Sequence, residues 1–462
     1  MTGTTTPSGA PAPRGQRRPA VPGQRSVTPA AGAARGVAVQ RTRNALESAR
    51  ASLRGTPGQL RVAGIASVIA CLAFATLAGW ALQLRASSLV QAQAHADQLV
   101  RIQQIASDVV AADSQFTNGY LTFGQDSTAQ LADYDQAVGD ASHLIAAAAQ
   151  AEPADAAELA SVNQALSSYT ARVASARANN KQGFQVGVGY LRQASSLLRA
   201  QSTSPAMLPT LNRLVSDNAT RVDDAFAASR TATWLLVLAG VLGLGVLLVA
   251  QFRVALRSHR FLNVPLVTAT AAVLVALIAG GAAMATAQSR ADQVKDKSYA
   301  ATLALANARI SAYVGKSYQS ITLIYIGTGG DYPTSQKAYG TSVATAKEKL
   351  GAAATATGED AGTAQLAAWT AKSTELYATA QSDWQKAAEQ ATQTATGSVN
   401  ALFTAFDLAT QPALTTQVAA VDDGLGSMHG LLVVLAWAAV LLGVVAAGAA
   451  WLGISLRLEE YR

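Results

Sequence analysis

Residues 231–287 read TATWLLVLAGVLGLGVLLVAQF, then RVALRSHRFLNVP, then LVTATAAVLVALIAGGAAMATA. Thr231–Phe252 is 22 residues without a charge, and Leu266–Ala287 is a second such run of 22. Arg253, Arg257 and Arg260 lie between them with no acid. A run of about 20 apolar residues is long enough to cross the hydrocarbon core, and short basic loops stay on the cytoplasmic side. The stretch therefore reads as a helical hairpin with its bend in the cytoplasm. Working outward, the second span covers 231–252, a basic loop 253–263, and the third span 264–287.

The rest of the chain fits a membrane protein. Charged residues make up 14% and apolar ones 50%, too apolar for an ordinary soluble chain. The net charge of +7 is unevenly placed. Residues 1–61 hold ten Arg against one acid, Glu47, whereas residues 85–230 carry 10 bases and 13 acids, and residues 285–429 carry 10 and 12. Basicity of this kind marks topology, and no nucleic-acid partner is expected. The single cysteine, Cys71, lies inside an apolar run, so no intramolecular disulfide braces the chain.

Residues 1–43 contain almost no large apolar side chain and are expected to be a disordered basic tail within a cytoplasmic segment 1–61. Val62–Leu84 is the first span, read as an uncleaved signal anchor because its basic lead-in is long and its apolar run extended. Ala63, Ser67, Cys71, Ala75 and Gly79 recur every fourth residue, a stripe along which another helix can come close. Residues 85–230 are expected to form an extracytoplasmic four-helix bundle. Leu99, Ile102, Ala106, Val109, Phe116, Tyr120 and Phe123 form the seam of its first helix, and Leu159, Val162, Leu166, Tyr169 and Val173 that of its third. Asp113 falls on the same seam, where a buried carboxylate is costly unless paired. Either that layer is wetted, or Asp113 is a buried polar switch. A fourth helix, bent near Pro205 and Pro209, leads into the second span.

The plan then repeats. Residues 288–429 are expected to form a second extracytoplasmic four-helix bundle, with Leu303, Ile310, Val314, Ile321 and Ile324 as its first seam. Residues 430–456 form the fourth span and 457–462 a cytoplasmic tail. Phe123-Gly124 with Tyr134 and Val138 matches Ile326-Gly327 with Tyr339 and Val343, and Leu208-Pro209-Thr210-Leu211 matches Gln411-Pro412-Ala413-Leu414. Val222-Asp223-Asp224 and Val421-Asp422-Asp423 each precede a span. The fold expected is an all-α membrane protein with four transmembrane helices and two tandem antiparallel four-helix bundles, an internal duplication. Both termini are then cytoplasmic, in the cell membrane.

No P-loop, HExxH, Gly-x-Ser-x-Gly or paired-cysteine motif is present. His95, His143, His259 and His429 have no metal-ligand spacing. No cofactor, metal or catalytic residue is expected, and the chain reads as a non-enzyme. Uncharged spans disfavour a channel or transporter. The parts placed in the cytoplasm are too short for a kinase or methylation domain, so any output must pass to another protein.

Asn118-Gly119-Tyr120-Leu121-Thr122-Phe123-Gly124, followed by Leu131-Ala132-Asp133-Tyr134, resembles the first turn of CHASE3 and related four-helix-bundle sensor domains. The whole plan resembles GlnX-type four-span actinobacterial relay proteins. That resemblance implies a signal-transducing role, with an amino-acid-binding extracytoplasmic lipoprotein and a cytoplasmic Ser/Thr kinase as partners beside the bilayer. The contact surface is expected at the distal tips, at Gln125, Asp126, Asn179, Asn180, Lys181, Asp331 and Tyr332. Output is expected through Arg253, Arg257, His259 and Arg260. Ala-rich seams bury little area each, which leaves room for a homo-oligomer. The alternative is a structural scaffold, or an accessory subunit of an envelope, division or transport complex.

Overall fold

The computed structural model describes residues 56–122, 128–182, 185–199, 206–258 and 263–459. The basic tail before residue 56, the tip residues Gln125 and Asp126, and His259 and Arg260 lie outside the described residues. Every regular element among those described is helical.

Helix α1 (Thr56–Tyr120) runs 65 residues without a break. At 1.5 Å per residue that is roughly 100 Å, about three times the hydrocarbon thickness. It is followed by α2 (Thr128–Ala151), a single 3₁₀ turn at Pro153–Asp155, α3 (Ala156–Lys181), α4 (Val186–Arg199) and α5 (Met207–Ser258). The chain returns in α6 (Val264–Gln293), which passes through a π-helical segment, Val294–Tyr299, straight into α7 (Ala300–Thr328). Then come α8 (Tyr332–Thr357), α9 (Thr363–Ser382), α10 (Trp384–Thr392), α11 (Val399–Gly426) and α12 (His429–Glu459).

Four helical stretches are long and apolar enough to cross a membrane: Arg61–Tyr120, Met207–Leu256, Val264–Thr328 and Val399–Leu456. Their outward faces are apolar too, with Ile69, Leu72, Trp234, Val241, Ile278, Leu441 and Trp451 exposed, as suits contact with lipid tails. Inside, the spans pack as a ring held by small residues. A Cβ placed on Gly443 would collide with Ala75, and one on Gly79 would lie 2.6 Å from Val440, so α1 lies against α12. Gly243 faces Phe74 across α5 and α1, and Gly280 faces Leu236 across α6 and α5. Asn263 closes the ring by donating to the Gly453 carbonyl at 2.8 Å. The stripe read from the sequence is this contact: Ser67, Cys71, Ala75 and Gly79 are all buried.

Beyond the spans the helices share one core. It joins Ile102, Phe116, Tyr169 and Leu191 from the first half with Leu305, Trp369, Phe403 and Phe406 from the second. The fourth helix of the first half is two helices, stopping at Arg199 and restarting at Met207, with Pro209 in the new first turn where its missing N–H costs nothing. Gly187 and Gly189 lie within α4. In the second half α9 and α10 are separated at Asp383, whose extended backbone and side chain cap α10 through the Lys386 N–H.

The expected seam of α7 holds in part: Ile321 and Ile324 are buried, whereas Leu303, Ile310 and Val314 are only half-buried. In that stretch the small Ala301, Ala308 and Ala312 are fully buried instead. Glycine ends α7 and α8 in the left-handed conformation, at Gly329 (φ 73°) and Gly358 (φ 80°).

Candidate functional site

Helix α1 is buried on more than one side, and its polar residues form successive layers along its length. The layer nearest the spans begins at Arg85, which is fully buried just past the first apolar run and donates to Gln288 Oε1 at 2.9 Å. Further out, Asp97 lies beside the carboxylate of Asp422 of α11. Burial first, and then the neighbouring carboxylate, push Asp97 up to about 6. At the same height, Asp155 in the α2–α3 turn is buried and accepts from Gln98, Asn218 and Arg221. That cluster ties the turn to both helices that lead into the first two spans.

The Asp113 layer is paired, not wetted. Asp113 is 0% exposed. Arg199 of α4 bridges to its Oδ2, and the Tyr169 hydroxyl donates to its Oδ1 at 3.2 Å. Burial, reinforced by the Asp113 charge, holds the Tyr169 hydroxyl well above its ordinary range. The Arg199 guanidinium also lies over the Tyr318 ring of α7, 4.9 Å from its centroid, so this layer reaches into the second half. Tyr169 was legible as a seam residue. Arg199 was not, because an arginine four residues past Ser195 looks like any solvated helix end.

The second half has polar layers of its own. Arg309 bridges to Asp407 at 2.8 Å and donates to Thr410 Oγ1 at 2.8 Å. Lys316 is buried without a carboxylate; it donates to Asn400 Oδ1 and Gln319 Oε1 and lies 5.8 Å from the Phe403 centroid. Desolvation lowers it to about 7. Asn118 of α1 donates to the same Asn400 Oδ1 at 2.7 Å, which links the halves directly.

At the far end the expected tip residues divide. Asn180 is buried and donates to the Tyr120 carbonyl at 2.9 Å, capping the end of α1. Asn179 is half-buried and bonds back to Ser175. Lys181 is exposed. Asp331 is exposed and caps α8 through the Thr334 N–H, with Tyr332 half-buried beside it. Asp331 shares a cavity of about 330 Å³ with Arg192 and Ser195 of α4 and with Tyr318 and Tyr325 of α7. Arg192 lies 5.7 Å from the Tyr325 centroid. The two tips therefore adjoin. At the opposite end, Arg253 is exposed near the close of α5, and Arg257 lies in its last turn with its side chain outside the described residues.

No group of His, Cys, Asp and Glu among the described residues is arranged to hold a metal ion. No curated protein and no solved structure matches the chain. Residues 88–227, which begin just past the first apolar run and stop just short of the second, match the family model of the actinobacterial sensor domain, and that match points to a sensing role for this part of the chain.

Proposed function

We propose that this protein is a non-enzymatic transmembrane relay, receiving a signal at its distal helices outside the cell and passing it to a cytoplasmic partner. The observation that carries this reading is the continuity of α1. One unbroken helix contains an apolar span and the first seam of the segment that matches a sensor domain. A tilt or slide imposed at the tip has no flexible joint in which to dissipate. Shifts of about 1–2 Å between packed helices are the usual scale of such switching.

The basic residues flanking the spans support an orientation with both termini and the 253–263 loop in the cytoplasm. An internal duplication supports coupling between the halves. Phe123 and Ile326 stand 203 positions apart, and so do Arg85 and Gln288, which bond to each other. Equivalent residues meet in this way at a two-fold axis. The same spacing relates Asp113 to Lys316, an acid in one half and a base in the other.

In this reading Lys181, Asp331, Tyr332 and the Arg192–Asp331 cavity form the surface for a ligand-loaded binding protein. Arg253 and the loop beyond it face the effector, and a Ser/Thr kinase is the class that the family resemblance suggests. A scaffold would share the architecture without the switch. Disulfide crosslinking of cysteines near Leu84 and Phe226, in cells with and without medium extracts, separates the two. A relay changes its crosslinking rate; an unchanged rate under every condition leaves only the scaffold. Membrane-impermeant thiol labelling at Lys181→Cys and Asp331→Cys, but not at Arg253→Cys, is expected from outside the cell, and the reverse pattern sinks the topology.

A further inference from the structure

A second cavity, about 250 Å³, lies midway up the molecule between α1, α7 and α11. Its wall is polar in a way that packing does not explain. Gln103 is 3% exposed, yet neither its amide nitrogen nor its amide oxygen has a protein partner. Asp108, half-buried beside it, also leaves Oδ2 unpartnered. Buried polar groups are nearly always satisfied, so unmatched donors and acceptors on one cavity wall mark a place made for something.

Charge narrows what that something is. One acid and one base line the cavity. Arg309 lines it, but its guanidinium is already bonded to Asp407 and Thr410. Asp108 has no such counter-ion. Burial and the charge of Asp140 push its carboxyl up to about 7 against the weaker pull of Arg309. A cation beside the unpartnered Oδ2 would supply the counter-charge that this carboxyl lacks. Val100, Leu414 and Val418 supply an apolar flank, while Gln103 offers both a donor and an acceptor.

We propose that this cavity binds a small molecule bearing an ammonium group, with the ammonium on Asp108, a short apolar body along Val100 and Leu414, and a polar end on Gln103. The site is well placed to report occupancy. Each of its three walls continues toward an apolar span: α1 directly, α7 through the Val294–Tyr299 π segment, and α11 into α12. The π segment lies between the cavity and the third span, and α11 carries Pro412 beside the lining residue Gln411. Departures of both kinds from regular helix are common where a helix must bend or switch. Binding stands apart from the relay reading; only the claim that occupancy is a signal rests on it.

The test uses the full chain in nanodiscs with Cys71→Ala and Ser107→Cys. Reaction of this cysteine with equal-sized cationic and anionic methanethiosulfonates should favour the cation by about 10-fold or more, as expected near an unpaired charge in a cleft. Propylamine, putrescine and γ-aminobutyrate are then compared with butanol and butyrate at about 10 mM, the weak end of small-ligand affinity. At least one ammonium probe should slow labelling, neither control should, and Asp108→Asn should abolish both the protection and the charge preference. The proposal is overturned if no ammonium probe protects, if butanol protects equally, or if Asp108→Asn is protected as well as its parent. Should Asp108→Asn fail to fold, the comparison of amine with butanol on the parent chain still decides. Protection without any change in Leu84–Phe226 crosslinking keeps the site and removes its signalling role.

Discussion

Replacing Arg199 by Met leaves Asp113 buried with only one partner, the Tyr169 hydroxyl. Asp113 is 0% exposed and sits in the shared core, so water cannot take the place of the lost cation. Removing one member of a buried pair costs about 3–5 kcal/mol, because the remaining charge is stranded. Loss of the guanidinium over Tyr318 adds about 1 kcal/mol, since that contact crosses between the halves. The triple change Asp113→Leu, Tyr169→Phe, Arg199→Met removes the buried ion pair and the hydroxyl bonded to it at once and should return to within about 1–2 kcal/mol of the parent. Denaturant titration of the full chain in detergent, followed by helical circular dichroism, measures both. A loss below about 1 kcal/mol for Arg199→Met would mean the layer is hydrated. A triple variant as unstable as the single one would show that packing, not the stranded charge, sets the cost.

Three further outcomes follow from the same layers. Lys316 titrates at about 7 in the folded chain against an ordinary 10.5, so between those values only the unfolded chain holds the proton and stability climbs as pH rises. Lys316→Met should therefore stabilise most below pH 7, with the gain fading toward pH 10, as melts across that range would show. Asp97 runs the other way: its folded pKa of about 6 lies above the ordinary 3.8, so stability falls as pH rises through that window. Asp97→Asn should stabilise at pH 7 and have no effect below pH 4; a pH-independent gain would exclude charge repulsion with Asp422. In the spans, Gly443→Val drives a side chain into the Ala75 backbone and should cost about 1–3 kcal/mol, whereas Gly448→Val meets nothing within 4 Å and should be nearly silent.

The features legible in the sequence were those set by local physics. Uncharged runs near 22 residues located the four spans, and fourfold spacing of small residues found the face that α1 turns toward α12. Three-four spacing found the buried face of α3, where all five expected residues are buried. Periodicity failed where a helix has neighbours on several sides. On α1, Gln98, Gln103, Ser114, Thr117 and Asn118 are buried beside the expected seam. A hydrophobic pattern reads these residues as a solvated face, because it cannot see the partners that cover them, Asp155 over Gln98 and Asn400 over Asn118. For the same reason Asp113 could be placed on a seam but not paired. Its cation arrives from α4, 86 positions away, and its lid, Tyr318, arrives from the other half of the chain.

That failure has a direction, and it bears on mechanism. Two free-standing bundles would each need an apolar seam and a polar exterior, and would exchange little with each other. Here several polar residues also lie on the face between the halves: Asn118 to Asn400, Arg199 to Tyr318, Arg85 to Gln288, and the Gln103–Asp108 wall toward α7 and α11. An apolar interface of this length would lock the halves together at one spacing. In the relay proposed above, this polar face is where a second arrangement of the halves would form. The four apolar candidate spans below pack closely on glycine and alanine, and in that proposal they would carry the shift. On the relay proposed above, the part of the chain that switches would be the part whose sequence looks least hydrophobic, and the part that transmits the part whose sequence is plainest.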